Sequence, residues 1–568
     1  MPELELDQQH FESRTESYDI GPLPLVWPFI RSLGIAEIVD AHCPRDPQLE
    51  FTHGQIVEAM VACRLCNPVA LYRVRDWARD SGAEKFLGIP AGKLNDDRLR
   101  RTLEAIYPHI YSIQASLAIS LATRFNVPLE CVHFDPTHFM FYGEYAGQEN
   151  LPDLLQVRAG RHARTHEGAK EAYVGLDMAR DGDHAVPIFY VTGNGNENSC
   201  TLAARNLEKL LQHVQPKKLL VIQDRGCHSR ENAFKIHDQH FQFVTVESLN
   251  APTKELLQTV PVEEFIDSRF LSIAEQNKRE LNKPRDTWEF YRVAERPMEW
   301  KHPSEDRTMP VRIVFVYSSA DDKTAKATRK KYTDQIRAGL EKIHQSVAKR
   351  ATHTKPDAVA DRVKTLFGKK SAARYFSWNI IELTEAEREA LPKPARGRSR
   401  ATHRFEFTYD DTLAQKDARW DGYWALATNT PAEEKTTDDV FCEYKGQSHI
   451  DVAQHQMKAP LRLHPVFLHT QERIESLVLI IFLALMVFYL LQRQYRKAKG
   501  PKDRTTGETL LRKFARVCLL VEHGCLRGAP LTREQNFVVI LLRLPPISHQ
   551  IAENYERIRM HRNRGAPT

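Results

Sequence analysis

Apolar residues recur at helical spacing from Tyr18 to His109, in LPLVWPFIRSLGIAEIVDAH and in HGQIVEAMVACRL, and Asn95 in NDDRLRRTLEAI stands where a helix cap belongs. The pattern predicts a compact helical module, and a further helix over YSIQASLAISLATRF joins it to the next region of the chain. From Leu129 the texture changes to short apolar runs, ECVHFD, EAYVGLDMARD and AVPIFYVTG, which read as three strands. A helix comes next in NSCTLAARNLEKLLQHVQ, then the strand KKLLVIQD, a helix starting at Ser229, and the strand FQFVTVES.

Three strands in succession, then helix, strand, helix and strand, predict an α/β domain built on a mixed sheet with helices on both faces. That is the element order of a ribonuclease-H-like fold. Region 249–419 interrupts it with strands such as TWEFYRVAE and VRIVFVYSS and with the charged helix KATRKKYTDQIRAGLEKIHQSVAKR. It reads as a β-rich insertion with a basic helical lobe, and long insertions are tolerable when their ends lie close together. The division that results is a disordered N-terminus (1–17), the helical module (18–125), the first part of the sheet domain (126–248), the insertion (249–419), the last strand and helices of the sheet domain (420–497), and a basic C-terminal extension (498–568).

One segment, IESLVLIIFLALMVFYLL from Ile474 to Leu491, is long and apolar enough to suggest a membrane span, with Arg493, Arg496 and Lys497 directly after it. No other segment is comparable, and a central helix packed on all sides has the same composition. The core helix is the expectation, and with it no membrane partner. The chain has 568 residues, 42% of them hydrophobic, enough for a sizeable core in two to four domains. Its formal charge of +6 identifies no partner, but RKK at 329–331, KPARGRSR at 393–400 and RQYRKAKGPKDR at 493–504 suit a polyanion as well as a solvated face. The nine cysteines are scattered, and CRLC at 63–66 has no second pair to make a metal knuckle, so reduced thiols in a cytoplasmic protein are expected.

Two aspartates stand out by position. Asp135 closes the run CVHFD and Asp224 closes LLVIQD, each where a carboxylate can emerge from a sheet into a crevice. Singly, each is as well read as a turn or cap residue. Phosphodiester chemistry gives a reason to join them: two Mg2+ ions about 3.5 to 4 Å apart neutralise the transition state and make the nucleophile, and carboxylates from separate parts of the chain hold them. Cys227 with His228, and His449 with His455, lack the arrangement that nucleophilic or metal chemistry needs, and GNGNENS around Asn194 to Asn198 reads first as a turn and helix cap.

The segments YVTGNGNENSCTL, VIQDRGCHSRENA, DGYWALATNTP and YKGQSHIDVAQHQMKAPLRLHPVFLHTQERIESLVLIIFLALMVFYLL resemble the DDE transposases of the insertion-sequence-four superfamily, which carry a tyrosine, arginine, glutamate, lysine signature, and most of all the insertion-sequence-sixteen-thirty-four branch. The likeness runs from the helical module to about Arg496. It implies a ribonuclease-H-like catalytic domain with a β insertion ahead of the last catalytic helix. The signature places two residues between tyrosine and arginine, three before the glutamate and six before the lysine, and Tyr444, Gln447, Asp451 and Lys458 keep those intervals.

The resemblance therefore implies Asp135, Asp224 and Asp451 as catalytic and metal-holding residues, and Tyr444, Gln447, Lys458 and Arg225 as DNA-binding ones. It implies two Mg2+ ions, with Mn2+ as a substitute, cleavage at the terminal inverted repeats of the element, and strand transfer into target DNA. The helical module and basic clusters would hold element ends, a homodimer would form the synaptic complex, and the protein would be cytoplasmic and nucleoid-associated on DNA. The chain departs from the pattern where Gln447 replaces arginine, where Pro136 precedes Thr137, and above all at Asp451. Asp is one methylene shorter than Glu, so on an unchanged backbone its carboxylate retreats by about 1.5 Å, where Mg2+ ligands sit at about 2.0 to 2.1 Å. A catalytically inactive, transposase-derived DNA-binding protein is the alternative this shortness supports.

Overall fold

The computed structural model describes residues 16–43, 49–142, 169–349, 355–391, 400–458, 460–461, 468, 470–522 and 525–563. They divide into one unit of Met1–Val246, Glu299–Met309 and Glu443–Thr568, and another of Glu247–Met298 and Pro310–Cys442. In the first unit the helical pattern becomes Leu23–Leu33, Ile35–His42, His53–Cys66, Val74–Asp80, Ala83–Leu87, Asp96–Ile106 and Ile110–Phe125. Gly34 at φ +75° ends one helix and begins the next, a left-handed corner at which a side chain would be strained. Thr52 and Gln55 cap each other reciprocally, and Asn95 accepts from the Arg98 N–H at 2.9 Å.

The sheet of this unit runs in the order His184–Gly193, Ala169–Asp181, Cys131–Tyr142, Leu220–Gln223, Gln242–Glu247. The first three strands are antiparallel and the last two run parallel to Cys131–Phe134, which is the ribonuclease-H-like arrangement expected from the element order. Helix Ser199–Val214, capped by Asn198, covers one face: Leu202 stands against Gly175, and the Asn206 amide donates to Asp177 at 2.7 Å. Across the pleat, Leu176 is paired with Tyr190, whose ring packs on Phe482 of the helix Gln471–Lys499. Helices thus cover both faces.

Gln471–Lys499 is the apolar segment. It is long and apolar enough to cross a membrane, and here 94% of its apolar window is buried inside the protein. Its neighbours are His53–Cys66, Asp96–Ile106 and the strand His184–Gly193. The basic run directly after it is partly structural: Arg493, 2% exposed, donates to Asp181 and to the carbonyls of Phe125 and Asn126, and Lys497 also pairs with Asp181. The expectation that this cluster as a whole faces DNA is corrected to that extent. Of the 329–331 cluster, Arg329 is paired with Asp421, and most of 393–400 lies outside the described residues.

Both ends also differ from the expectation. Residues 1–15 lie outside the described residues, while Glu16 and Ser17, placed in the disordered N-terminus, begin the strand Glu16–Asp19 because Cys518–Glu522 supplies a backbone edge. The C-terminal extension contributes the strand Cys525–Gly528 to the same small sheet and continues as helices Arg533–Leu541 and Ile547–Asn563. Asn554 accepts from the buried indole N–H of Trp27 at 2.8 Å.

The second unit has strands Ile266–Asp267, Tyr291–Lys301, Thr308–Ser318 and Tyr423–Thr428. Tyr423–Thr428 pairs antiparallel with Thr308–Ser318. The basic lobe is an independent cluster in which Ile336, Leu340, Ile343 and Val347 of the helix Ser319–Lys349 meet Val359, Val363 and Phe405. Among the described residues helices outweigh strands in the insertion, where the short apolar runs suggest mainly strands.

Candidate active site

The parallel pairing of Cys131–Phe134 with Leu220–Gln223 sets the register of the site. Its last rung is Phe134 opposite Gln223, and the next residues on the two strands are Asp135 and Asp224. Asp135 therefore lies just past the parallel pairing but does not close its strand, a correction to the sequence reading: the strand continues to Tyr142 because Ala169–Asp181 pairs with it. Leu220–Gln223 is buried, as a central parallel strand must be, so Asp224 is the first residue to leave the sheet, and it is exposed. Its carboxylate accepts from the Arg225 N–H at 2.7 Å and its carbonyl from the Cys227 N–H at 3.0 Å, a tight turn ahead of the helix Arg230–Asp238 capped by Ser229.

Two short helices, Thr437–Lys445 and Ser448–Lys458, deliver the rest. Ile450, Ala453 and Met457 bury one side of the second helix, while Asp451 stays exposed and Gln454 and Lys458 are half-buried. The Tyr444 hydroxyl donates to Asp224 Oδ1 at 3.2 Å. Gln454 Nε2 donates to Asp135 Oδ2 at 2.7 Å. The sequence reading missed Gln454; the available signal was its position three residues after Asp451, on the same stretch of helix surface.

The carboxylates act on one another electrostatically. Burial raises Asp135 to about 7, the Gln454 hydrogen bond opposes this, and the charges of Asp451 and Asp224 add to it. Asp451 is also raised, first by the loss of water on its protein side and then by Asp224. Burial lowers Lys458 against the pull of Asp135, and burial followed by the Asp224 charge raises the Tyr444 phenol. Asp135, Asp224, Asp451, Tyr444 and Lys458 thus share one electrostatic neighbourhood. Arg225 is exposed beside Asp224. Gln447 differs: its Oε1 is shut off from solvent and has no hydrogen-bond partner among the described residues.

Of the remaining tempting residues, His455 is exposed and the others are held in packing, an ion pair or a helix cap. Cys227 is buried, and the His228 ring lies 5.5 Å from Trp300. His449 is held down to about 4 by burial and by Arg180. In GNGNENS, Glu197 accepts from the Asn194 N–H and pairs with Arg205, and Asn198 caps the next helix.

Residues 15–115 match the family model described as Domain of unknown function (DUF4277). Among solved structures the chain is similar to one described as the cryo-EM structure of a piggyBac transposase synaptic complex with hairpin DNA, at 10% identity and a TM-score of 0.32, covering 95% of this chain and 85% of that one. No curated protein matches.

Proposed function

We propose that the chain is a DDE-type transposase that cuts DNA at the ends of its own mobile element and joins the freed 3′ end to target DNA, with Mg2+ as cofactor. The observation that carries this reading is the meeting of Asp135, Asp224 and Asp451 beside Tyr444 and Lys458, from separate parts of the chain and at the signature's intervals. The donors fit the cofactor: they are carboxylate oxygens, the choice of a hard cation, and the mutual repulsion that helps hold Asp135 near 7 is what a divalent cation relieves. Asp135 and Asp224 would hold one ion, and Asp451 the second or its water. When bound, such a pair supplies charge neutralisation at the scissile phosphate and an activated oxygen nucleophile.

The chain's own side chains do the positioning. Gln454 ties Asp135 to the helix that carries Asp451, and Tyr444 restrains Asp224, so each carboxylate keeps an oxygen clear of these side-chain donors. Lys458 offers a point charge to a DNA phosphate, and Arg225 stands exposed at the same edge. The element's inverted repeats, target DNA and a second copy of the chain are the partners in this reading, and its setting is cytoplasmic, at the nucleoid.

A second reading, an inactive transposase-derived DNA-binding protein, is favoured by Asp451 being short and by Gln454 occupying an oxygen of Asp135. One assay separates the two. DNA spanning the flanks of the gene is incubated with protein and Mg2+ or Mn2+, and nicking is monitored together with binding. The transposase reading expects nicks that disappear in Asp224→Ala while binding persists. Binding without nicking by the unaltered chain establishes the second reading instead.

A further inference from the structure

On the same face of the strand as Asp135, two and four residues earlier, stand His133 and Cys131. Glu443, the residue before Tyr444, reaches them from the helix Thr437–Lys445, so that one ligand atom from each of the three lies within 4.8 Å of the others. Cys131 Sγ is 3.7 Å from Glu443 Oε2. His133 is 2% exposed, and among the described residues neither of its ring nitrogens has a hydrogen-bond partner. An imidazole buried with both nitrogens unsatisfied is costly, and a buried histidine is ordinarily anchored through at least one of them.

We infer that Cys131, His133 and Glu443 form a binding site for a borderline-soft divalent ion, with Zn2+ the natural occupant, separate from the Asp135, Asp224 and Asp451 carboxylates. Sulfur, nitrogen and one carboxylate oxygen make a zinc donor set, whereas Mg2+ takes oxygen and does not choose a thiolate. Three protein ligands leave a fourth position for water. The thiolate and carboxylate bring two negative charges. Arg180, whose guanidinium lies 3.2 Å from Glu443 Oε2 and donates to the Glu443 carbonyl at 2.8 Å, compensates one and orients the carboxylate from outside. The ion would clamp the base of the central strand to the helix end that presents Tyr444, so its structural effect is to hold Tyr444 where it meets Asp224. The site does not depend on the transposase reading: it requires only these three side chains.

The test uses the full chain, stripped with a chelator and titrated with Co2+ as a spectroscopic probe. One equivalent is expected to produce a thiolate-to-cobalt charge-transfer band that Zn2+ abolishes and excess Mg2+ does not. Cys131→Ser removes the band, and His133→Gln and Glu443→Gln each weaken binding by roughly tenfold or more. Asp135→Asn and Asp224→Asn leave it unchanged. Zn2+ also raises the Tm of the unaltered chain and not that of Cys131→Ser, because an ion that binds only the folded state stabilises it. No charge-transfer band in the unaltered chain, or a band that persists in Cys131→Ser, overturns the inference. If Cys131→Ser does not fold, the His133→Gln and Glu443→Gln titrations decide it: unchanged affinity in both overturns it.

Discussion

Asp451 and Gln454 sit about one helical turn apart and do opposite things to the same cluster. Asp451 adds a charge that pushes Asp135 up, and Gln454 donates a hydrogen bond that pulls it down. In the proposed transposase the shortness of Asp451 is a deficit of reach, and reach can be restored. Asp451→Glu advances the carboxylate by about 1.5 Å, and since a misplacement of about 1 Å costs on the order of a hundredfold in rate, cleavage by this variant is expected to rise by roughly tenfold or more. The check is the initial rate of DNA nicking in Mg2+ beside the unaltered chain. A rate that falls instead would show that the helix has settled around aspartate.

Between elements, the contact of strand Ala169–Asp181 with helix Ser199–Val214 turns on a buried carboxyl. Asp177 is 1% exposed, and burial raises it to about 8 against the opposing hydrogen bond from Asn206. Its folded value thus lies above an unfolded value of about 3.9. The stability this group contributes is complete below about pH 4 and is lost as pH rises towards about 8, because the unfolded chain releases the proton first. Asp177→Asn removes that slope, so denaturant unfolding at about pH 5 and about pH 8 should give more nearly equal stabilities in the variant than in the unaltered chain.

Across the whole molecule, the C-terminal helix Ile547–Asn563 returns to the N-terminal module. Asn554, 2% exposed, accepts from Trp27 Nε1 and donates to the Phe86 carbonyl, while Arg557 pairs with the fully buried Glu58 at 2.8 Å. Asn554→Ala leaves two buried partners unmet and is expected to destabilise the chain by about 2 kcal/mol, read as a lower denaturation midpoint. The sequence suggests only a DNA-end-holding role for the helical module, yet the module is also the seat on which the C-terminus closes. That second role is invisible along the chain, where Trp27 and Asn554 are separated by 527 positions.

Local chemistry was enough to determine most elements of the helical module and of the sheet that follows it. Apolar periodicity marked the helical module and the strands, Asn95 and Ser229 marked their helix starts, and strand order resulted because short connections leave few ways to lay three strands, a helix and two more into one sheet. The intervals from Tyr444 to Lys458 singled out Tyr444, Asp451 and Lys458, which act on Asp135 or Asp224, but not Gln454, although one helix carries Asp451, Gln454 and Lys458 at turn spacing. What needed the tertiary structure was every question of who partners whom. Whether a 29-residue apolar helix is wrapped by protein, whether Arg493 faces solvent or Asp181, and whether His133 finds a neighbour in Glu443 all depend on surfaces hundreds of residues away. Burial and charge pairing are properties of an environment, and only folding creates one.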